Sequence, residues 1–228
     1  QFLIIFISSL IGIYSFEFFL SYKNNKIIFQ KGTKNKYEIV REMQQNNHDA
    51  YLNIAPHLFI KSNGLDTDGR KLYPLGSISN SFIVMNNELG FYPIYKTDLY
   101  GFNNDNYRYE NHIDNILIGD SFTEGCCVEQ EHSISEVLNS LGQNSINFGK
   151  SGNGPLTEYA TFLEYATKLK PKKILWLYYP NDFRNLKNEL QSKILQSYLL
   201  DENFTQDLIN RQDEINIELI KYLKLQEK

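Results

Sequence analysis

The sequence predicts an α/β fold, a three-layer αβα sandwich on a parallel sheet, preceded by an N-terminal transmembrane helix and an extension. Three observations carry this expectation. Over the second half of the chain, apolar runs of strand length alternate with helical patterns, an order that argues for parallel strands covered on both faces by crossover helices. Those runs end in polar loops, Gly119-Asp120-Ser121, Gly149-Lys150-Ser151-Gly152-Asn153-Gly154 and Pro180-Asn181-Asp182, which a parallel sheet would gather at one rim. Finally, Phe2 to Leu20 is almost wholly apolar, with Glu17 its only charge.

From the N-terminus, that apolar run would be about 28 Å long as a helix, close to one hydrocarbon thickness. A signal peptide's core or a buried helix would share the pattern, but no small-x-small cleavage site follows it. The sequence is therefore divided into a transmembrane anchor over 1–22, a membrane-proximal extension over 23–110 and a main domain over 111–228. Glu17 sits near one end of the span, where a carboxylate can reach the interface. Lys23, Lys26, Lys31, Lys34 and Lys36 follow it, a bias that by itself would keep the globular part in the cytoplasm.

In the extension, a short amphipathic helix is expected from Tyr37 to about Gln45, and turns at Ser62-Asn63-Gly64 and Asp68-Gly69. Ser81–Met85 and Phe91–Tyr95 read as a hairpin whose second strand Pro93 confines to an edge. Tyr100-Gly101-Phe102-Asn103-Asn104 reads as a turn that packs aromatic rings under the main domain. The main domain opens with the buried-strand run Ile116–Ile118. Its first helix starts at a capping box, Ser133-Ile-Ser-Glu136. A strand at 144–148 leads into the glycine-bearing loop, and Pro155 suits the first turn of the next helix. A third strand is expected at 172–179, then helices over about Leu186–Leu200 and Gln206–Leu225.

Composition narrows the function. The chain of 228 residues is 42% hydrophobic and 22% charged, ordinary globular values. A net charge of −4 with a pI near 5.6 gives no basic patch for a polyanion, so nucleic acid is not an expected partner. Cys126 and Cys127 are adjacent, and neighbours reach disulfide geometry only with strain, so two small buried thiols are expected. His48, His57, His112 and His132 are scattered without metal-ligand spacing. No metal and no cofactor are expected.

The three loops resemble the motif blocks of the SGNH/GDSL hydrolase superfamily. Gly119-Asp-Ser-Phe-Thr-Glu-Gly125 is similar to its first block, Asn147-Phe-Gly-Lys-Ser-Gly152-Asn-Gly154 to its second, and Asn181-Asp182 to its third. The resemblance covers about the second half of the chain and implies a flavodoxin-like fold, here incomplete. With its anchor and its Tyr/Asn-rich extension, the chain is more narrowly similar to membrane-anchored bacterial members. The resemblance implies Ser121 as nucleophile, with the N–H groups of Ser121 and Gly152 and the Asn181 side-chain amide as the oxyanion hole. Asp120 and Asp182 would support the site, Asp120 by holding the turn. The implied partners are an acylated small molecule, glycan or lipid, and the membrane; the implied side is extracytoplasmic, against the lysine bias.

Two departures stand out. Pro180 replaces the glycine usual before Asn181, and the family's C-terminal Asp-x-x-His is absent: no histidine follows His132. A serine hydroxyl without a positioned base is a weak nucleophile. His112, at the far end of its strand, is too distant. The reading expects a truncated chain whose missing C-terminal part supplies the base. The leading expectation is thus a serine esterase or acyl-transfer hydrolase, with a catalytically inactive SGNH-like binding or assembly protein as its main competitor. A flavodoxin-like phosphate binder is a third reading, but the 149–154 loop matches neither GxGxxG nor GxxxxGK[ST].

Overall fold

The computed structural model describes residues 10, 12–16, 34–67, 69–88 and 90–226. Residues 10 and 12–16 are helical; the rest of the span expected over Phe2–Leu20, together with Lys23, Lys26 and Lys31, lies outside the described residues. Among the described residues no helix is long and apolar enough to cross a membrane.

The extension begins with α1 (Lys36–Gln45), set by Asn35. The Asn35 side chain accepts from the N–H groups of Tyr37 and Glu38 while Glu38 reaches back to the Asn35 N–H, so the first free donors of the helix are satisfied reciprocally. Three short strands then form one sheet in the order β1-β4-β5: β1 (Ala50–Leu52), β4 (Phe82–Val84) and β5 (Ile94–Lys96). β4 and β5 are antiparallel, the hairpin expected from the sequence. β5 lies on the edge, directly after Pro93, whose missing N–H would have interrupted a central strand. In the chain between β1 and β4, β2 (Leu65–Thr67) and β3 (Arg70–Leu72) form a separate antiparallel pair.

The second half is mixed α/β around a parallel sheet. β6 (Asn115–Gly119) is buried at all five positions and is the middle strand, with β7 (Ser145–Asn147) on one side and β8 (Lys173–Leu177) on the other, both parallel to it. Ile116 faces Ile146 in one neighbour and Ile174 in the other. The joining helices are α2 (Ser121–Glu124) and α3 (Ile134–Ser140) after β6, and α4 (Pro155–Thr161) after β7. α4 continues through a π turn, Phe162–Ala166. Ser133 caps α3 by accepting from the Glu136 N–H, but the reciprocal bond is replaced: the Glu136 carboxylate pairs with Arg108.

Two helices differ from expectation, each for a local reason. The stretch expected as one helix over 186–200 is two, α5 (Asp182–Glu189) and α6 (Lys193–Leu200). Ser192 breaks it by capping α6, held by Asn63 of the extension, which also accepts from the Ile194 N–H. The last helix, α7 (Gln212–Gln226), starts six residues later than Gln206, because Asp207 takes a left-handed conformation and 208–211 form a 3-10 turn.

One hydrophobic core joins the two halves. Phe59, Leu72 and Tyr73 of the extension pack in one cluster with Ile116, Phe148, Tyr165 and Leu219. The Tyr100–Asn104 turn lies beneath the sheet: the Phe102 ring is fully buried, 4.8 Å from Phe148 and 5.2 Å from Tyr165. Burying such a ring is worth roughly 1.5–3 kcal/mol.

Candidate active site

β6 delivers Asp120 and Ser121 to the carboxyl rim of the sheet. Asp120 caps α2, its side chain accepting from the Phe122 N–H at 3.0 Å, which fixes the turn and puts Ser121 at the first helical position. α2 lasts only one turn, because Gly125 takes the left-handed conformation that ends it.

The loop after β7 approaches this turn closely. The Phe148 N–H donates to Leu117 and the Lys150 N–H to Gly119, so the loop is stitched along β6. A side chain at Gly149 would put its Cβ 2.5 Å from the Glu124 nitrogen; glycine is what lets the two backbones meet. Gly152 has φ +77, and a Cβ there would lie 2.1 Å from Nδ1 of His57. From β8, Asn181 stands at the start of α5 and donates through its amide to Asp120 at 3.3 Å. Asp182 accepts from the Tyr179 N–H and closes the Tyr179–Asp182 turn.

Ser121, Gly152 and Asn181 line a single cavity of about 300 Å³, together with Glu88, Cys126 and Arg184. The N–H groups of Ser121 and Gly152 make no hydrogen bond among the described residues. Two backbone N–H groups and one side-chain amide, donors of the type that stabilise an oxyanion, thus belong to residues lining the same cavity as Ser121. No family model, curated protein or solved structure matches this chain. The functional reading therefore rests on the site.

Beneath the loop lies a buried ionic network. Lys150 and Glu124, both with fully buried side chains, form an ion pair at 2.5 Å. Lys150 also donates to Asn53 and Tyr95, and Glu124 accepts from Tyr95 and from the N–H and hydroxyl of Ser151. Burying two charges is costly unless each is paired and its remaining hydrogen-bonding capacity filled, and here it is. The result ties the Ser121 helix, the glycine loop and two segments of the extension together.

A second group of carboxylates is buried near the site. Asp120, Glu158, Asp182 and Glu189 are all buried, and none forms an ion pair among the described residues. Burial pushes the Glu158 carboxyl up to about 8, against a hydrogen bond from the Trp176 indole at 2.6 Å that favours the anion, and the neighbouring carboxylates add to the rise. Burial raises Asp182 and Glu189 as well.

The two cysteines are half-buried rather than buried: they follow the turn at Gly125, and Cys126 lines the Ser121 cavity. Their sulfurs are 2.7 Å apart, and Cys127 donates to Glu88 at 3.0 Å. Burial raises both thiols above their ordinary range. Glu88, Cys126 and Cys127 place their ligand atoms within 4.8 Å of one another, close enough to share one soft cation, although nothing in their sequence spacing signals it.

No histidine lines the Ser121 cavity among the described residues; His57 lies on the other side of Gly152, in an adjoining cavity. Sequence reading missed His57, Asn53 and Tyr95, which carry no local pattern. Glu124 and Lys150 stand inside the motif blocks, but no rule of spacing announces that they pair.

Proposed function

We propose that this protein is a serine esterase or acyl-transfer hydrolase of the SGNH type, built as an αβα sandwich and anchored to a membrane by its N-terminal segment with the globular part outside the cytoplasm. The observation that carries the reading is the shared cavity of Ser121, Gly152 and Asn181 at the ends of three parallel strands. The Ser121 hydroxyl attacks the acyl carbon of an O-acetylated glycan or a lipid ester. The developing oxyanion is held by the N–H groups of Ser121 and Gly152 and by the Asn181 amide, donors that supply several kcal/mol to the transition state. Asp120 holds the turn and Asp182 the Asn181 loop. General-base activation, worth about 10²–10⁴-fold in rate, needs a histidine beside Ser121, and none lines this cavity among the described residues.

A second reading is favoured by one observation, the lack of a histidine in the Ser121 cavity. A cavity with oxyanion donors and no base binds an acyl group without turning it over. The two readings separate on an aryl acetate. The esterase reading expects slow hydrolysis by the 228-residue chain that Ser121→Ala abolishes and Asn181→Ala lowers about 10²–10³-fold, and much faster hydrolysis by a form extended with Asp-x-x-His. Turnover indifferent to Ser121→Ala would defeat the esterase reading, and an inert extended form would favour the binding protein.

A further inference from the structure

Gly152 is a wall with a cavity on each side. On one side is the space of about 300 Å³ at Ser121; on the other is a larger one of about 550 Å³, within the usual range for small-molecule sites, lined by His57, Lys61, Gly152, Asn185, Asn188 and Gln191 with Leu58 and Ile60. The two share Gly152 and Asn185.

The chemistry of the larger cavity is specific. Three of its side chains are carboxamides, each offering both N–H donors and a carbonyl acceptor, the pairing that hydroxyl groups need. The Asn185 amide donates to the Asn153 carbonyl; the side chains of Asn188 and Gln191 make no hydrogen bond among the described residues. Lys61 supplies a cation with no ion pair among the described residues, and no carboxylate lines the space. A polyhydroxylated ligand that also carries a negative charge satisfies all of these groups; a neutral sugar leaves Lys61 unmatched, and an acyl chain leaves the amides unmatched.

We propose that this cavity binds an acidic sugar, one bearing a carboxylate that meets Lys61 while its hydroxyls meet Asn185, Asn188 and Gln191. Resting on the esterase reading, the sugar is the alcohol half of the ester. With the acyl carbon at Ser121 and its oxygen toward Gly152, the small acyl group stays in the 300 Å³ space and the sugar passes over Gly152 into the larger one. Attack forms the Ser121 Oγ–acyl bond and breaks the bond from acyl carbon to sugar oxygen; the proton from Ser121 ends on that sugar oxygen, and water then hydrolyses the acyl-serine.

The test is calorimetric titration of the full chain, in detergent, with glucuronic acid and with glucose. Glucuronic acid should bind at least about tenfold more tightly, Lys61→Ala should erase that difference, and Lys61→Glu should reverse it. Lys61 is exposed and its side chain makes no hydrogen bond or ion pair among the described residues, so these variants should remain folded. Ser121→Ala should bind glucuronic acid as the native chain does, which separates the two proposals: if aryl acetate turnover proves independent of Ser121 while Lys61-dependent binding persists, the esterase reading fails and the acidic-sugar site stands. Equal binding of the two sugars, no binding of glucuronic acid, or a preference that survives Lys61→Ala would overturn the site.

Discussion

Two buried carboxylates flank the candidate site and are treated in opposite ways. On the extension side, both oxygens of Glu124 are engaged, by the Lys150 ammonium, the Tyr95 hydroxyl and the N–H and hydroxyl of Ser151. On the β8 side, Glu158 has one oxygen on the Trp176 indole and the other without a partner among the described residues, among further buried carboxylates. The first arrangement keeps a charge inside the protein and uses it to fix the Ser151–Gly152 loop; the second pushes a carboxyl toward its neutral form. The difference teaches that burial alone does not decide the state of a carboxylate. The partners that fill its oxygens count as well.

Breaking the paired side should have the largest effect. Glu124→Ala leaves Lys150 buried without a counter-charge and should cost about 3–5 kcal/mol of stability, read from urea or thermal unfolding. Replacing both partners, Glu124→Leu with Lys150→Met, should be less damaging than the single change, since the uncompensated charge is gone. A mild Glu124→Ala effect would mean that the network does not hold the loop.

The unpaired side should respond to pH. The folded-state value for Glu158 is about 8, against 4.5 for an unperturbed carboxyl, so between the two the folded protein holds a proton that the unfolded chain lacks. Its contribution is full below about pH 4.5 and is lost as pH rises through about 8, at no more than about 1.4 kcal/mol per pH unit. Glu158→Gln should flatten that decline in denaturation midpoints measured across the window. An unchanged slope would show that another group carries it.

A third test bears on the wall between the cavities. Gly152→Ala forces a side chain into a left-handed backbone, at about 1–2 kcal/mol, and drives its methyl into His57. Removing the ring in Gly152→Ala/His57→Ala should recover the steric part of the loss and leave the backbone part, visible as partial recovery of the melting temperature. Full recovery would show that the φ of +77 carries no strain.

The smallest effect is expected at the exposed rim. The Phe122 ring lies 4.4 Å from Tyr179 but is 58% exposed, so Phe122→Ala should cost no more than about 0.5–1.5 kcal/mol in the same unfolding assay. A loss comparable to that of Glu124→Ala would erase the contrast between floor and rim.

Sequence by itself determined the elements whose causes are local. That β6, β7 and β8 run parallel follows from apolar runs alternating with helical patterns, and the start of α3 from Ser133. The hairpin of β4 and β5 with its edge proline, and the turn that buries Phe102, were equally legible. The three loops that hold Ser121, Gly152 and Asn181 could be marked, because each ends an apolar run. Only the tertiary structure decided what depends on long-range contact. Asn63 breaks the helix expected over 186–200 from a position 129 residues earlier than Ser192. Asn53 and Tyr95 complete the shell of a lysine 97 and 55 residues away, and His57 comes to lie on Gly152. Such pairings leave no mark in local spacing: periodicity reports which face of an element is buried, while the partner that satisfies a buried charge is chosen by the folded chain.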